Sequence, residues 1–294
     1  MVVKQLWVLI WKDILIDLRR KENILAMLFF SLLTLLIFNF ALGASDAGGE
    51  ERYRITPLSV QQLAGTGVPA SVLEGLEVWT GRVFPSRSDL ILALRNLPGG
   101  EPTPEARVAI LEGTKTGFLR ESAGGLLWVT ILLAGVLGLS RSFVQEREEG
   151  CMDGLLLTPV ARGWIYLGKM TSNALFLVLI TLLLLPMFAL FFGLQLAGAW
   201  PLLVLVLLGG ILGFAALGTL LGGITATLKG REVLLPVLLF PLLVPLVVVG
   251  VHLTGTILEG RPLEDEWQWI NLLAAFDGVY LIVSYLVFDY VMET

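Results

Sequence analysis

The sequence contains only one cysteine, Cys151, and one histidine, His252, in 294 residues. A single cysteine excludes a disulfide within the chain. Zinc sites and Ser-His-Asp triads depend on histidine, and the sequence suggests no acidic or cysteine partner for His252, so we expect neither kind of site. Charged residues are also scarce, at 15% against 56% hydrophobic residues, which excludes an ordinary soluble domain.

A phosphate-binding loop is missing as well. The stretch 113–117, Gly-Thr-Lys-Thr-Gly, lacks the spacing G-x-x-x-x-G-K-[ST] that such a loop requires. We therefore expect no catalytic residues and no ATP hydrolysis by this chain. We also expect no covalently bound cofactor, no metal and no nucleic-acid partner.

Long apolar runs dominate the sequence. A run of about 20 apolar residues crosses a bilayer as a helix, because backbone polar groups must pair internally in hydrocarbon. The predicted fold class is therefore an all-α polytopic membrane protein with six transmembrane helices. The predicted spans are 24–43, 124–142, 166–192, 201–228, 233–255 and 268–290.

Residues 1–22 have an amphipathic pattern and precede the first transmembrane segment, 23–43, whose apolar run is 24–43. Trp7, Trp11 and Leu18 recur at helical spacing, which predicts an interfacial helix on the membrane surface. We expect no cleavable signal peptide, because the first apolar run follows this segment and is long enough to span.

Basic residues predict the orientation. Arg19, Arg20 and Lys21 flank the first span, which places the N-terminus in the cytoplasm. Six crossings return the C-terminus to the same side. The short outer turns carry only Arg261 as a basic residue, consistent with this topology.

Residues 44–123 are then extracytoplasmic, and we expect a small α/β insertion there rather than a disordered linker. Residues 82–85 resemble a strand, and 88–97 resemble a helix capped by Ser86 or Ser88. Residues 107–111 are predicted to form a second strand. The ligand and role of this segment stay open.

Several residues within the predicted permease core, 124–294, have an expected role in function, membrane anchoring or helix packing. Asp277 is an ionisable residue inside a span and therefore a functional candidate, although a neutralising neighbour would also explain it. Trp267 and Trp269 suit an interfacial aromatic anchor. The fourth span carries Gly209, Gly213, Gly218 and Gly222. The spacing of these small residues favours helix packing within one subunit over a dimer interface. The fifth span carries Pro236, Pro241 and Pro245.

A polar interruption at 143–165 separates the second and third spans. It combines a charged helix end, a glycine break, a short apolar turn and a proline stop. Such a segment suits a transmission element that contacts a soluble partner, and a solvated connector is the alternative.

Two motifs carry a resemblance to a known family. The first is F-x-x-E-x-x-x-G-x-x-x-x-L-L-L-x-P, from Phe143 to Pro159, with Gly168-Lys169 opening the next span. The second is the basic turn and proline-rich span beginning at Thr227. Together they resemble the CcmB family, the permease subunits of cytochrome c maturation ABC transporters. The resemblance covers about 1–43 and 124–260, and does not cover 44–123.

The resemblance implies a site at 143–165 that couples the permease to an ATPase. It also implies a CcmA-like ATPase that binds ATP, together with CcmC-like and CcmD-like membrane proteins, in a bacterial inner membrane. A second copy of the chain is a further candidate partner. The implied coupling residues are Glu146, Glu148, Glu149, Gly150, Met152, Gly154, Leu155, Leu156 and Pro159.

The function expected from this resemblance is heme delivery, or release of a heme-loaded chaperone, driven by the separate ATPase. Heme would then be the transported or handled species, and His252 is a candidate heme contact because imidazole binds iron. A lone histidine near an interface also suits an ordinary hydrogen-bonded role. The alternatives are a permease that exports a lipid, glycan or drug, and a non-transporting scaffold for heme-handling subunits.

Overall fold

The computed structural model describes residues 11–12, 21–48, 52–98, 100–116, 118–148, 162–194, 200–226, 228 and 231–291. Most of these residues are helical. The six long helices are α1 (Lys21–Gly48), α6 (Phe118–Glu148), α7 (Arg162–Phe191), α8 (Trp200–Ala226), α9 (Arg231–Leu258) and α10 (Trp267–Val291). A short 3-10 helix, Leu263–Glu266, precedes α10.

Each long helix contains a segment that is long and apolar enough to cross a membrane. The segments are Ile24–Leu42, Ser122–Ser140, Gly163–Phe191, Trp200–Thr225, Val233–Leu258 and Leu263–Phe288. The prediction of six spans is therefore confirmed, and the chain is an integral membrane protein. α9 continues as one helix through its three prolines.

Helix α8 lies at the centre of the bundle. About two-thirds of its apolar segment (67%) is buried, against 17% in α1 and in α10. It packs against α6, α7, α9 and α10, while α1 packs mainly against α6 and α7. Asn39 in α1 donates to the carbonyl oxygen of Phe191 in α7 at 2.7 Å. The inner faces of the bundle therefore converge on α8.

Residues 52–116 form a separate unit. Three short strands, β1 (Arg52–Arg54), β2 (Val83–Phe84) and β3 (Lys115–Thr116), make an antiparallel sheet in the order β2-β1-β3. Arg52 pairs with Thr116, so the start of β1 lies beside the end of β3. The unit also contains helices α2 (Pro57–Ala64), α3 (Ala70–Glu77), α4 (Arg87–Leu94) and α5 (Pro104–Thr114).

This unit, called the insertion below, has its own apolar core. Buried side chains from its sheet and helices form a cluster distinct from the membrane core. Tight backbone packing supports it: a Cβ added at Gly75 would lie 1.7 Å from the carbonyl oxygen of Pro98. Fully buried members of the cluster include Ile55, Leu76, Leu90, Leu94 and Ile110.

Local predictions within the insertion had mixed outcomes. Strand β2 lies inside the predicted 82–85, and the predicted helix forms as α4, with the Ser86 hydroxyl accepting from the Asp89 backbone amide. The strand predicted at 107–111 is wrong, because these residues lie in α5. Pro104 begins that helix, where its missing N–H costs nothing, and Ala106 and Ile110 face the core at helical spacing.

Residues 11 and 12 are the described part of the predicted surface helix. They are helical, and Trp11 is exposed. The rest of the segment 1–20 lies outside the described residues, so the surface helix stays a prediction.

Candidate functional site

The predicted coupling segment joins α6 and α7, and α6 extends well beyond its apolar segment. α6 continues past Ser140 to Glu148, which carries its backbone about 12 Å beyond the apolar segment at the rise of an α-helix. Glu146 and Glu148 therefore belong to the last turns of α6. The other predicted coupling residues lie outside the described residues: Glu149, Gly150, Met152, Gly154, Leu155, Leu156 and Pro159.

The beginning of α7, where the chain leaves this segment, packs tightly into the bundle. The Tyr166 hydroxyl donates to the carbonyl oxygen of Ala216 in α8 at 3.1 Å, and its ring lies 5.1 Å from that of Phe288 in α10. A Cβ added at Gly163 would lie 2.5 Å from the Tyr285 ring. This end of α7 therefore contacts both α8 and α10 directly.

A second polar contact joins α7 to α8 about two helical turns further along α7. Asn173 Nδ2 donates to Thr219 Oγ1 at 2.9 Å. Sequence reasoning missed Tyr166 and Asn173 as contact residues. The available signal was a tyrosine and an asparagine in the first third of an apolar span, where polar side chains in lipid usually face the bundle.

Asp277 lies in α10 near the middle of its apolar segment and is only 8% exposed. Its carboxyl group fits against two glycines of α8. A Cβ added at Gly213 would lie 2.3 Å from Oδ1, and one at Gly209 would lie 3.6 Å from Oδ2. Leu246 and Leu273 meet the same glycines. We call Asp277, Gly209, Gly213, Leu246 and Leu273 the Asp277 site.

The Asp277 site gives Gly209 and Gly213, two of the four predicted glycines of the fourth span, a defined role. Gly209 and Gly213 face α10, while a Cβ at Gly218 would lie 2.3 Å from Leu139 of α6. These glycines therefore allow close helix packing within one chain.

The neighbouring face of α8 contacts a tryptophan that the sequence analysis did not single out. Cβ atoms added at Gly210 and Gly250 would lie 2.0 and 2.4 Å from the Trp128 ring. The Trp128 indole N–H donates to Thr254 Oγ1 at 3.0 Å. Trp128 thereby joins α6, α8 and α9 at a fully buried position.

His252 has an acidic partner that the sequence analysis did not find. Its Nε2 lies 2.9 Å from Glu266 Oε2, and its ring stacks on Trp269 with centroids 4.2 Å apart. Glu266 is in the 3-10 helix between α9 and α10, so the turn between the helices returns it to the histidine. The expectation that His252 lacks an acidic partner was wrong, and its role as a heme contact stays a prediction.

Side chains from this turn, from α9 and from β1 form a connected group, which we call the α9–α10 junction: Arg54, His252, Glu259, Arg261 and Glu266. Arg261 donates through Nη1 to Glu266 at 3.0 Å and through Nε to Glu259 at 2.9 Å. Glu259 also forms an ion pair with Arg54 of β1. The junction therefore attaches the insertion to the end of α9.

No group of three histidine, cysteine or acidic side chains that could hold a metal ion occurs within the described ranges. The junction supplies two glutamates and one histidine that are already engaged with arginines or with each other. Its arrangement suits structural connection between the insertion and the helices.

Comparison with known proteins gives a consistent result. The model of the family described as CcmB protein matches residues 108–293. Heme exporter protein B of Pseudomonas aeruginosa is 33% identical over 163 residues, covering 55% of this chain and 73% of the relative. Heme exporter protein B of Rhodobacter capsulatus is 33% identical over 152 residues, covering 52% and 69%.

The matched region begins within α5 and contains every long helix except α1. It starts at 108, inside the segment 44–123 that the resemblance was not expected to cover, and it extends beyond residue 260, where the resemblance was expected to end. It does not include 1–43, where the resemblance was expected to hold. It includes the polar segment 143–165 and all of α10. Because the match covers more than half of the sequence, the chain belongs to the CcmB family.

Proposed function

We propose that the chain is the permease subunit of an ABC transporter complex for cytochrome c maturation, in which a separate ATPase drives heme delivery or release of a heme-loaded chaperone. The observation that carries this proposal is the family match across the polar segment and five membrane helices. The name of its relatives, heme exporter protein B, supports heme as the handled species.

In this proposal the segment 143–165 receives the motion of the ATPase. Glu146, Glu148 and Glu149 face basic groups of that partner, while Met152, Leu155 and Leu156 enter an apolar cleft. Gly150 and Gly154 permit the turn, and Pro159 ends the short helix. The charges before the glycine break and the apolar residues after it support this division of roles.

The packing of α7 supplies a route for that motion. Its first turns contact α8 through Tyr166 and α10 through Gly163, at the C-terminal end of α10. The opposite end of α10 follows the α9–α10 junction, which contacts the insertion through Arg54. A displacement of α7 is thereby transmitted along α10 to the insertion.

The same geometry supports the proposed orientation. The beginning of α7 contacts the C-terminal end of α10, and the insertion contacts the junction at its other end. A cytoplasmic ATPase beside the beginning of α7 would therefore leave the insertion outside the cytoplasm. Both termini are then cytoplasmic, in a bacterial inner membrane. The excess of basic residues beside the first span favours the same assignment.

The proposal is tested by purifying the tagged chain from its native membrane, identifying partners by mass spectrometry and recording a heme absorption spectrum. We expect a CcmA-like ATPase with CcmC-like and CcmD-like proteins. An ATPase recovered without heme or heme-handling proteins would instead favour a lipid, glycan or drug exporter. Heme-handling proteins without any ATPase would favour a scaffold.

The coupling segment is tested by replacing Glu146, Glu148 and Glu149 with alanine. We expect loss of ATPase co-purification, because the acidic end of the segment is removed. The matched control replaces three exposed glutamates of the insertion, Glu74, Glu77 and Glu112. Equal ATPase recovery and equal ATP hydrolysis in both triple variants would contradict a coupling role.

A further inference from the structure

The carboxyl group of Asp277 has unusual surroundings for an acidic side chain. It is buried near the middle of an apolar span, and its Oδ1 atom lacks a hydrogen-bond partner. The neighbouring groups on α8 and α9 are glycine and leucine. The carboxyl group therefore faces residues without charged side chains, at a depth where water is scarce.

The titratable neighbour of Asp277 is Tyr280, on its own helix. The Tyr280 hydroxyl donates to the carbonyl oxygen of Leu242, so it is directed to α9. From α8 the facing residues are Gly209 and Gly213, and from α9 the facing residue is Leu246. Within the described ranges, no basic side chain is hydrogen-bonded to Asp277 Oδ1.

An ionised carboxylate in such a site requires a compensating charge. Burying an unpaired charge in hydrocarbon costs several kcal/mol, so the group must carry a proton or hold a cation. Metal cations bind in proteins through several oxygen ligands, and the facing residues Gly209, Gly213 and Leu246 carry no side-chain oxygen. A proton needs one carboxyl oxygen only.

We propose that Asp277 is a proton-binding site, which holds a proton while α8 and α10 are closely packed and releases it when they separate. In the loading step, hydronium transfers a proton to a carboxylate oxygen, an O–H bond forms and water leaves. Release reverses this step, with water entering between the helices as the acceptor. The proposal concerns the chain itself and does not require the proposed ATPase coupling.

The glycines explain why proton binding and helix packing are linked. Because Gly209 and Gly213 have no side chains, α8 approaches the Asp277 carboxyl group closely enough to exclude water. A neutral carboxyl group tolerates that contact, whereas a carboxylate favours hydration. Ionisation therefore favours separation of α8 from α10, and close packing favours the protonated form.

The first test uses dicyclohexylcarbodiimide, which adds to protonated carboxyl groups in apolar sites and rearranges to a stable N-acylurea. The full chain is reconstituted in phospholipid nanodiscs, treated across a pH series and analysed by peptide mass spectrometry. We expect Asp277 to be modified, with roughly tenfold less modification at alkaline than at mildly acidic pH, since the protonated fraction changes up to tenfold per pH unit. The Asp277→Asn variant is the negative control.

Gly213→Ala tests the link to packing. Its Cβ would lie 2.3 Å from Oδ1, which moves the carboxyl group away from α8 and admits water. We expect modification of Asp277 at a fixed, near-neutral pH to fall about threefold or more, because hydration favours the carboxylate. The matched control is Gly278→Ala on the neighbouring residue, where an added Cβ meets nothing within 4 Å.

Infrared difference spectroscopy provides a second measurement that does not depend on access of the reagent. A pH-dependent carbonyl band that is absent from Asp277→Asn would support the proposal. Absence of this band overturns the proposal, as does a band that persists unchanged at every pH. Protection of Asp277 from the reagent by sodium ions would also overturn it, because it would identify a cation site.

Discussion

The α9–α10 junction and the Asp277 site both place acidic side chains on the last two helices, but their surroundings differ. At the junction, Glu259 and Glu266 each contact an arginine, and Glu266 also contacts His252. At the Asp277 site, the carboxyl group meets glycine and leucine, and Oδ1 has no partner. The first lies at the end of the helices and the second near their middle.

This difference shows how depth determines what an acidic residue can do. At the helix ends, charged side chains remain partly exposed and can form ion pairs that connect one element to another. In the interior an unpaired charge is too costly, so the residue is retained in a neutral form or with a bound ion. The junction is therefore expected to stabilise the structure, and the Asp277 site to respond to protons.

The largest expected effect comes from filling the space beside Asp277. Gly213→Ala should lower stability by about 1–3 kcal/mol, because its Cβ would overlap both Asp277 and Leu246. Thermal unfolding in detergent measures this loss. Adding Asp277→Ala should recover part of it by removing one of the two overlaps. If Gly213→Ala is no less stable than the control Gly278→Ala, the close approach of α8 and α10 is wrong.

A smaller loss is expected at the junction from Glu266→Ala. Removing this carboxylate leaves His252 Nε2 and one Arg261 nitrogen without their partners, at an expected cost of about 1 kcal/mol because both groups are partly exposed. The cost is measured by the same thermal unfolding. Glu264→Ala, on an exposed residue of the same 3-10 helix, is the control. Identical unfolding of the two variants would contradict a stabilising junction.

A local effect is expected from Arg54→Ala. The ion pair with Glu259 is about a quarter exposed on each side, so its contribution should be about 0.2–1 kcal/mol. Limited proteolysis is the suitable measurement, and we expect faster cleavage between the insertion and α1 or α6. Arg95→Ala, an exposed arginine of the insertion, is the control. Unchanged cleavage in Arg54→Ala would show that this contact does not hold the insertion.

The smallest effect on stability is expected from Asp277→Asn, at about 0.5 kcal/mol or less, because an amide has the shape of a neutral carboxyl group and breaks no ion pair. Glu266→Gln should cost more, since it weakens contacts to both Arg261 and His252. Comparing the two thermal midpoints directly tests the contrast between the regions. A larger loss for Asp277→Asn would mean that Asp277 is ionised and paired.

The sequence was sufficient for features that depend on local pattern. Apolar run length predicted the six spans, and Ser86, one of the two predicted caps, marks the start of α4. The error at 107–111 arose because Val108, Ile110 and Leu111 suit a strand as well as a helix over so short a stretch. Pro104 before them was the better indicator of a helix, because proline is common at the first helical position.

Contacts between distant residues could not be predicted in this way. Asp277 was recognisable as a charge in an apolar run, and the glycines of α8 as a packing motif, but hydropathy does not specify how two helices are rotated against each other. The pairing of Arg54 with Glu259 joins residues 205 positions apart. His252 and Glu266 were missed because their contact depends on the turn geometry after α9.

The pairing of Arg52 with Thr116 has a consequence for how this protein could have arisen. The chain enters and leaves the insertion on adjacent strands, and the flanking helices α1 and α6 pack against each other. The two chain connections between the insertion and the bundle therefore lie side by side, which is the arrangement in which domain insertion is tolerated. A gene encoding the bundle could acquire or lose this segment in one step without separating two neighbouring helices.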